Sequence, residues 1–217
     1  MPHKIVSFLN FAKLGLIPKI VEPKIQLMIV DDFLSRNTCE GLIRVSQDHY
    51  AASRVGANGH NVVVDRSKRD SESCFLTRDC ADSELVQKVN KRLLDLYDNH
   101  DLHSDHLQIH KYNRMQFFGA HHDYLHVDTQ AERIADTGQR TWTMIVFLND
   151  DFYEGCTEFP ELFIKVRPKR GSLVVWNNLN EDGSVNPLTL HKGNPVTHGT
   201  KYLLSKWFRD LPISEVK

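Results

Sequence analysis

Three His-x-acid pairs stand in this 217-residue chain: His103/Asp105, His121/Asp123 and His126/Asp128. On an extended strand, residues i and i+2 point to the same face, so a His and a carboxylate at that spacing can grip one metal ion. The chain carries 12 His and 28 acidic residues, so about one or two such pairs arise by chance and the surroundings must separate them. His103/Asp105 lies in the polar run DNHDLHSDH, which reads as a solvated loop. His126/Asp128 runs into TQAERIADTGQ, a polar segment without strand character. His121/Asp123 follows the aromatic, strand-like MQFFG and precedes Tyr124. It is the pair expected to project from a β framework into a cavity.

Two His and one carboxylate on one face leave the opposite side of an ion open, the donor set of non-haem Fe(II) oxygenases. A second His must then come from downstream, and only His191 and His198 follow residue 126. Ten residues past His191, Lys201 opens the strand-like KYLLSKWF. Period-two alternation puts Lys201, Leu203, Ser205 and Trp207 on one face of that strand, and Tyr202, Leu204, Lys206 and Phe208 on the other. If the face with Leu203 and Trp207 looks inward, Lys201 is buried. A buried ammonium needs an anionic partner. No acid is near in sequence, which leaves a ligand carboxylate, or water reached by snorkelling from the strand end. Tyr112 and Trp207 taken alone read as core aromatics and Thr143 as an ordinary strand residue. Arg140, or Arg133, could meet a substrate or form a structural ion pair.

The elements that must position these residues are legible in outline. Leu42, Ile43 and Val45 follow the possible caps Ser35 and Asn37 at helical spacing, after a strand expected in QLMIVDDFL. Leu85, Val86, Val89, Leu93, Leu94 and Tyr97 recur at i, i+3 and i+4, predicting an amphipathic helix over 82–97. Between them, 54–73 is a polar, Gly/Asn/Ser-rich excursion around Val62-Val63-Val64. After residue 105, short β-rich runs follow one another at 107–112, 115–118, 141–148, 163–166, 172–176 and 201–208, separated by turn signals. Many short strands after a helical first half predict an α+β chain with a jelly-roll core and helices packed on one face. One domain over 25–217 is expected, its jelly-roll core spanning about 105–210, with an N-terminal arm over 1–24. No Gly-rich strand–turn–helix unit points to a Rossmann or P-loop site.

Composition excludes other classes. Lys+Arg 27 against Asp+Glu 28 gives a net charge of −1, without the basic surplus of nucleic-acid binding. No apolar run approaches the roughly 20 residues of a membrane span. Lys13 interrupts the apolar N-terminus, so no signal peptide is expected. Four cysteines without a C-x-x-C pair read as reduced thiols in a cytoplasmic protein rather than as a zinc site or disulfide framework.

The order of motifs resembles the prolyl 4-hydroxylases of the Fe(II)/2-oxoglutarate dioxygenase superfamily. It consists of Tyr112, His121-x-Asp123-Tyr124, Arg140-x-x-Thr143, Gly155-x-Thr157-x-Phe159-Pro160, Pro168-Lys169-x-Gly171, His191-x-Gly193-x-Pro195-Val196, Gly199-x-Lys201 and Trp207. The opening IVDDFLSRNTCEGLI, Arg69-x-Ser71 and Phe75-Leu76 extend the resemblance over about 26–210. It implies a double-stranded β-helix fold and His121, Asp123 and His191 as iron ligands. Lys201 would pair with the distal carboxylate of 2-oxoglutarate, Tyr112 and Thr143 would hydrogen-bond the same co-substrate, and Trp207 would wall the site. It further implies consumption of O2, release of succinate and CO2, hydroxylation of a prolyl residue in a peptide or protein, rescue of the iron by ascorbate, and closure of the 54–73 segment over a peptide. Met115 before Gln116, Phe118, Glu154, Cys156 and His198 depart from the family pattern, none at a proposed ligand, and bear on substrate choice. A carboxylate at 123 favours hydroxylation over halogenation. Two other readings are the same chemistry on a free amino acid or small metabolite, and a jelly-roll metal-binding module without turnover. Retention of Lys201 argues against the last.

Overall fold

The computed structural model describes residues 9–56, 60–97 and 104–211. The first half supplies β1 (Lys19–Glu22), β2 (Leu27–Val30), α1 (Arg36–Ser46), β3 (Ala51–Ala52), β4 (Val55–Gly56), β5 (Val62–Val63), β6 (Arg69–Asp70), β7 (Glu72–Phe75), α2 (Leu76–Asp79) and α3 (Glu84–Tyr97). The second half supplies β8 (Gln108–Tyr112), β9 (Phe117–His121), α4 (Val127–Thr137), β10 (Arg140–Phe147), β11 (Tyr153–Glu154) and β12 (Thr157–Phe159). It ends with β13 (Ile164–Val166), β14 (Leu173–Asn177), β15 (His191–Gly193), β16 (Val196–His198) and β17 (Lys201–Arg209).

A major sheet runs β1-β2-β14-β10-β17-β8-β7-β3 and a minor one β13-β12-β15-β9-β6. On the outer face of the major sheet, Val86, Val89, Leu93, Leu96 and Tyr97 of α3 pack with Leu42 of α1 and with Met144, Val146, Leu204 and Phe208. Its inner face puts Ile145, Phe147, Trp176 and Leu203 against Phe159 and Val196 from the opposing side. The sheet is covered on both faces, so β10 is buried along nearly its whole length and reads TWTMIVF rather than alternating apolar with exposed polar residues. The two apposed sheets form the double-stranded β-helix core, with the helices on one side.

Particular elements differ from the sequence expectation. The strand expected at 115–118 lies at Phe117–His121. Met115 instead adopts φ 65 in the preceding turn, a left-handed conformation that glycine takes more readily. The polar TQAERIADTGQ segment forms α4, in which only Gln130 is buried. A helix lying on the surface has no need of a broad apolar stripe. Of the stretch expected to be an arm, residues 1–8 lie outside the described residues, while the rest packs on the body. Phe11 is buried in the outer core, Asn10 N–H donates to Leu96 O, and β1 pairs with β2. The 54–73 segment, apart from 57–59 outside the described residues, contains the β4–β5 hairpin. His60 of that hairpin reaches Asp136 of α4 at 3.0 Å. Among the described residues, no helix is long and apolar enough to cross a membrane.

Candidate active site

Strand pairing brings His121 and His191 together across 70 residues of chain. They are direct cross-strand partners in the antiparallel β9–β15 pair, with ring centroids 4.3 Å apart. Asp123 lies two residues beyond His121, past the end of β9. Its Oδ1 is 3.6 Å from His121 Nε2 and its Oδ2 3.5 Å from His191 Nε2. One donor atom from each of the three lies within 4.8 Å of the others. Asp123 and His191 are buried, and His121 is at the surface of the cleft.

The tautomers are set from behind. His121 Nδ1 faces Gly119 O at 2.8 Å and His191 Nδ1 faces Thr189 O at 2.9 Å. A carbonyl only accepts, so each Nδ1 carries the proton and each Nε2 presents a lone pair to the common centre. Burial, with His121 nearby, pushes the His191 imidazole down to about 4, so it stays neutral at physiological pH. Burial alone would raise the Asp123 carboxyl, but His191 and His121 hold it well below the usual carboxylate range. Phe118 stacks on the His121 ring at 3.6 Å, and Trp176 packs edge-on against His191 at 4.8 Å. Two imidazoles and one carboxylate, each oriented by a second bond, are a donor set that fits a divalent iron and leaves coordination positions open.

The same cavity is lined by Tyr112, Thr143, Lys201 and Trp207, together with Arg69 and His110. The alternation read in β17 holds: Lys201, Leu203, Ser205 and Trp207 face the cavity, and Leu204 and Phe208 face the helices. Lys206, on the helical side, is buried and donates to Asn90 Oδ1 at 2.7 Å. Lys201 is 2% exposed. Its Nζ donates to Gly155 O at 2.7 Å and lies over the Tyr112 and Phe147 rings, and among the described residues it meets no carboxylate. Gly155 has φ 64, and a Cβ there would meet Phe152 at 2.9 Å, so a glycine is what lets this carbonyl approach the ammonium. Burial pushes the Lys201 ammonium down to about 8. Arg69, also buried, donates to Ser71 Oγ, contacts His110 Nδ1 at 2.8 Å and covers the Phe118 ring. Two cations without a carboxylate partner among the described residues, beside a site for a divalent ion, suit a small dianion.

The remaining candidates divide clearly. Thr143 lines the cavity, but its hydroxyl donates to Asp123 Oδ2 at 2.8 Å. The Trp207 Nε1 donor is buried without a hydrogen-bond partner among the described residues, and the Arg140 guanidinium lies 4.4 Å over its ring. Arg140 is a structural residue, bonded to Asp105, which Arg209 also grips at 2.7 Å. Asp105 thus belongs to an ion-pair clasp, and His103 lies outside the described residues. His126 and Asp128 are exposed at the start of α4. His198 pairs with Tyr153 across β11–β16 and meets its ring edge-on, outside the cluster. His110 was not singled out from the sequence, although the alternation that places Tyr112 inward on β8 places it inward too. Asn178, just past β14, had no sequence signal.

The sequence model of the 2OG-Fe(II) oxygenase superfamily matches residues 107–209, the stretch that carries every cavity residue named above except Arg69. Prolyl 4-hydroxylase 1 of Arabidopsis thaliana is 28% identical over 205 residues, covering 88% of this chain and 71% of that protein. The prolyl 4-hydroxylase subunit alpha-1 of Rattus norvegicus is 31% identical over 143 residues, 65% of this chain and 26% of that protein. In three dimensions, the viral collagen prolyl hydroxylase of Paramecium Bursaria Chlorella virus-1, solved with 2OG, superposes with a TM-score of 0.60 at 22% identity, covering 85% of this chain and 96% of that one. Motif order, fold and sequence relatives point the same way: residues 107–209 match the 2OG-Fe(II) oxygenase superfamily, and the chain is similar to prolyl 4-hydroxylases.

Proposed function

We propose that the protein hydroxylates a prolyl residue in a peptide or protein, consuming O2 and 2-oxoglutarate and releasing succinate and CO2. The observation that carries this reading is Lys201, a buried ammonium without a carboxylate partner among the described residues, in the cavity that holds the His121–Asp123–His191 cluster. A metal-storage module has no use for such a cation. In this reading His121, Asp123 and His191 hold the iron, and Lys201 pairs with the distal carboxylate of 2-oxoglutarate. Tyr112, 5.2 Å from the Lys201 Nζ by its ring centroid, walls that end of the co-substrate.

Iron with bound 2-oxoglutarate supplies the oxidising power for C–H hydroxylation. The chain's own residues bind, orient and exclude water. Phe118, Ile145, Trp176 and Leu203 give the cavity apolar walls, which strengthens the Lys201 pairing by lowering the local dielectric. The similarity to a prolyl 4-hydroxylase of Arabidopsis thaliana and to a viral collagen prolyl hydroxylase favours a peptidyl target over a free amino acid. Ascorbate would restore iron oxidised in turnovers without substrate.

The test is incubation with Fe(II), 2-oxoglutarate and ascorbate against proline-containing peptides and free amino acids, read by mass spectrometry. The expected result is one added oxygen on a prolyl residue, with matching succinate. Turnover of a free amino acid, with every peptide left unmodified, would favour the small-molecule reading.

A further inference from the structure

Asp123 is held from behind by a relay of side chains. Thr143 Oγ1 lies 2.8 Å from Asp123 Oδ2, Asn178 Nδ2 lies 3.0 Å from Thr143 Oγ1, and Trp176 Nε1 lies 3.1 Å from Asn178 Oδ1. Thr143 and Asn178 are 0% exposed and Trp176 1%. Each bond has only one possible direction. An indole N–H only donates, so Asn178 turns its carbonyl oxygen to Trp176 and its amide to Thr143. Thr143 accepts that bond, and its single proton goes to the carboxylate. The Asn178 backbone is pinned too: its N–H donates to Thr141 O at 2.7 Å, and its carbonyl accepts from Asn186 N–H at 2.9 Å. At the far end, the Trp176 ring packs against His191 at 4.8 Å. One indole therefore braces two of the three clustered residues.

We propose that Asn178 is a positioning residue for the metal centre: through Thr143 it fixes the orientation of Asp123, committing Oδ2 to the relay and leaving Oδ1 for the ion. This rests on the reading of Asp123 as a metal ligand. A carboxylate free to turn can grip an ion through both oxygens, which takes up a position that 2-oxoglutarate or O2 needs. A fixed one cannot. The relay also spends the only Thr143 proton, so Thr143 meets the co-substrate through a lone pair at most and acts chiefly on the iron side of the cavity.

The experiment is titration of the metal-free protein with Mn(II) alone, followed by electron paramagnetic resonance, with a melting curve for every variant. Thr143→Val and Asn178→Leu should each weaken Mn(II) binding about tenfold, as loss of an outer hydrogen bond to a metal ligand does. Trp176→Phe keeps the ring against His191 and removes only the donor, and it should weaken binding in the same direction. Thr143→Ser restores the hydroxyl and should bind within about twofold of the parent protein. The Thr143→Val/Asn178→Leu double variant should bind about as well as Thr143→Val alone, because both changes break one relay. The Co(II)-loaded variants should also show an altered visible spectrum, which a purely structural role would leave unmoved. Parent-like Mn(II) affinity in a folded Asn178→Leu, or additive losses in the double variant, would overturn the proposal. If Asn178→Leu does not fold, Trp176→Phe and Thr143→Val decide by the same measure. An unaltered protein that binds no Mn(II) would instead remove the metal reading on which the proposal stands.

Discussion

Lys201 is in an environment that only its ligand completes. Its ammonium is buried against aromatic rings and one carbonyl, and burial has brought it down to about 8 from the ordinary lysine value. The unfolded chain keeps this proton up to about pH 10.4, so between about 8 and 10 the unfolded state binds more protons than the folded one. Stability of the ligand-free protein attributable to this group therefore rises with pH across that window. Co-substrate affinity runs the other way and falls as pH rises past about 8, when the ammonium discharges. Lys201→Met, close in volume and uncharged, should weaken 2-oxoglutarate binding about a hundredfold, or roughly 3 kcal/mol. The ligand-free variant should melt no lower than the parent. Calorimetric titration and melting curves check both, and a variant that loses stability but keeps affinity would contradict the account. The lysine was legible in the sequence because alternation along one strand fixes which face it shares with Trp207. Its lack of a carboxylate partner was not, since that depends on every other strand in the cavity.

At the scale of elements, the clasp around Asp105 ties the start of β10 to the end of β17. Arg140, half-buried, and Arg209, buried, both bond the one buried carboxylate. Burial would raise the Asp105 carboxyl, but the two guanidinium groups hold it below the ordinary range. Its contribution is fully present above about pH 4 and is lost as the pH falls below that. Asp105→Asn leaves two arginines facing each other without an anion, which costs about 3 kcal/mol or more. Melting should fall by roughly 6 to 12 °C, while Mn(II) affinity of the folded protein stays close to the parent's. A melting temperature unchanged by the substitution would show that the clasp is not holding the strands. Asp105 looked like part of a metal-binding pair because it lies two residues from a His, and only the return of β17 shows that its partners are arginines. Short elements were hidden for the same reason. β12 and β15 are three residues each, too short for any period to register, and β15 is the strand that delivers His191.

The molecule as a whole couples two sheets through one site. His121 and His191 come from the minor sheet, and Lys201, Thr143, Tyr112 and Trp207 from the major one. An ion and 2-oxoglutarate bound together would bridge the sheets. At a concentration of about a hundred times Kd, a ligand adds about 2.7 kcal/mol to stability. Mn(II) with 2-oxoglutarate should therefore raise the melting temperature by roughly 5 to 10 °C, more than either alone, and a differential scanning experiment checks it. No shift with the pair would mean that the two do not share one cavity.

The central claim is that one cavity holds both the iron and 2-oxoglutarate. Anaerobic titration of the Fe(II)-loaded protein with 2-oxoglutarate tests it most directly, through the weak visible charge-transfer absorption of the chelate. The band should develop in the unaltered protein, be absent in His191→Ala and need far more co-substrate in Lys201→Ala. Confirmed iron occupancy with no band at any 2-oxoglutarate concentration would contradict the account.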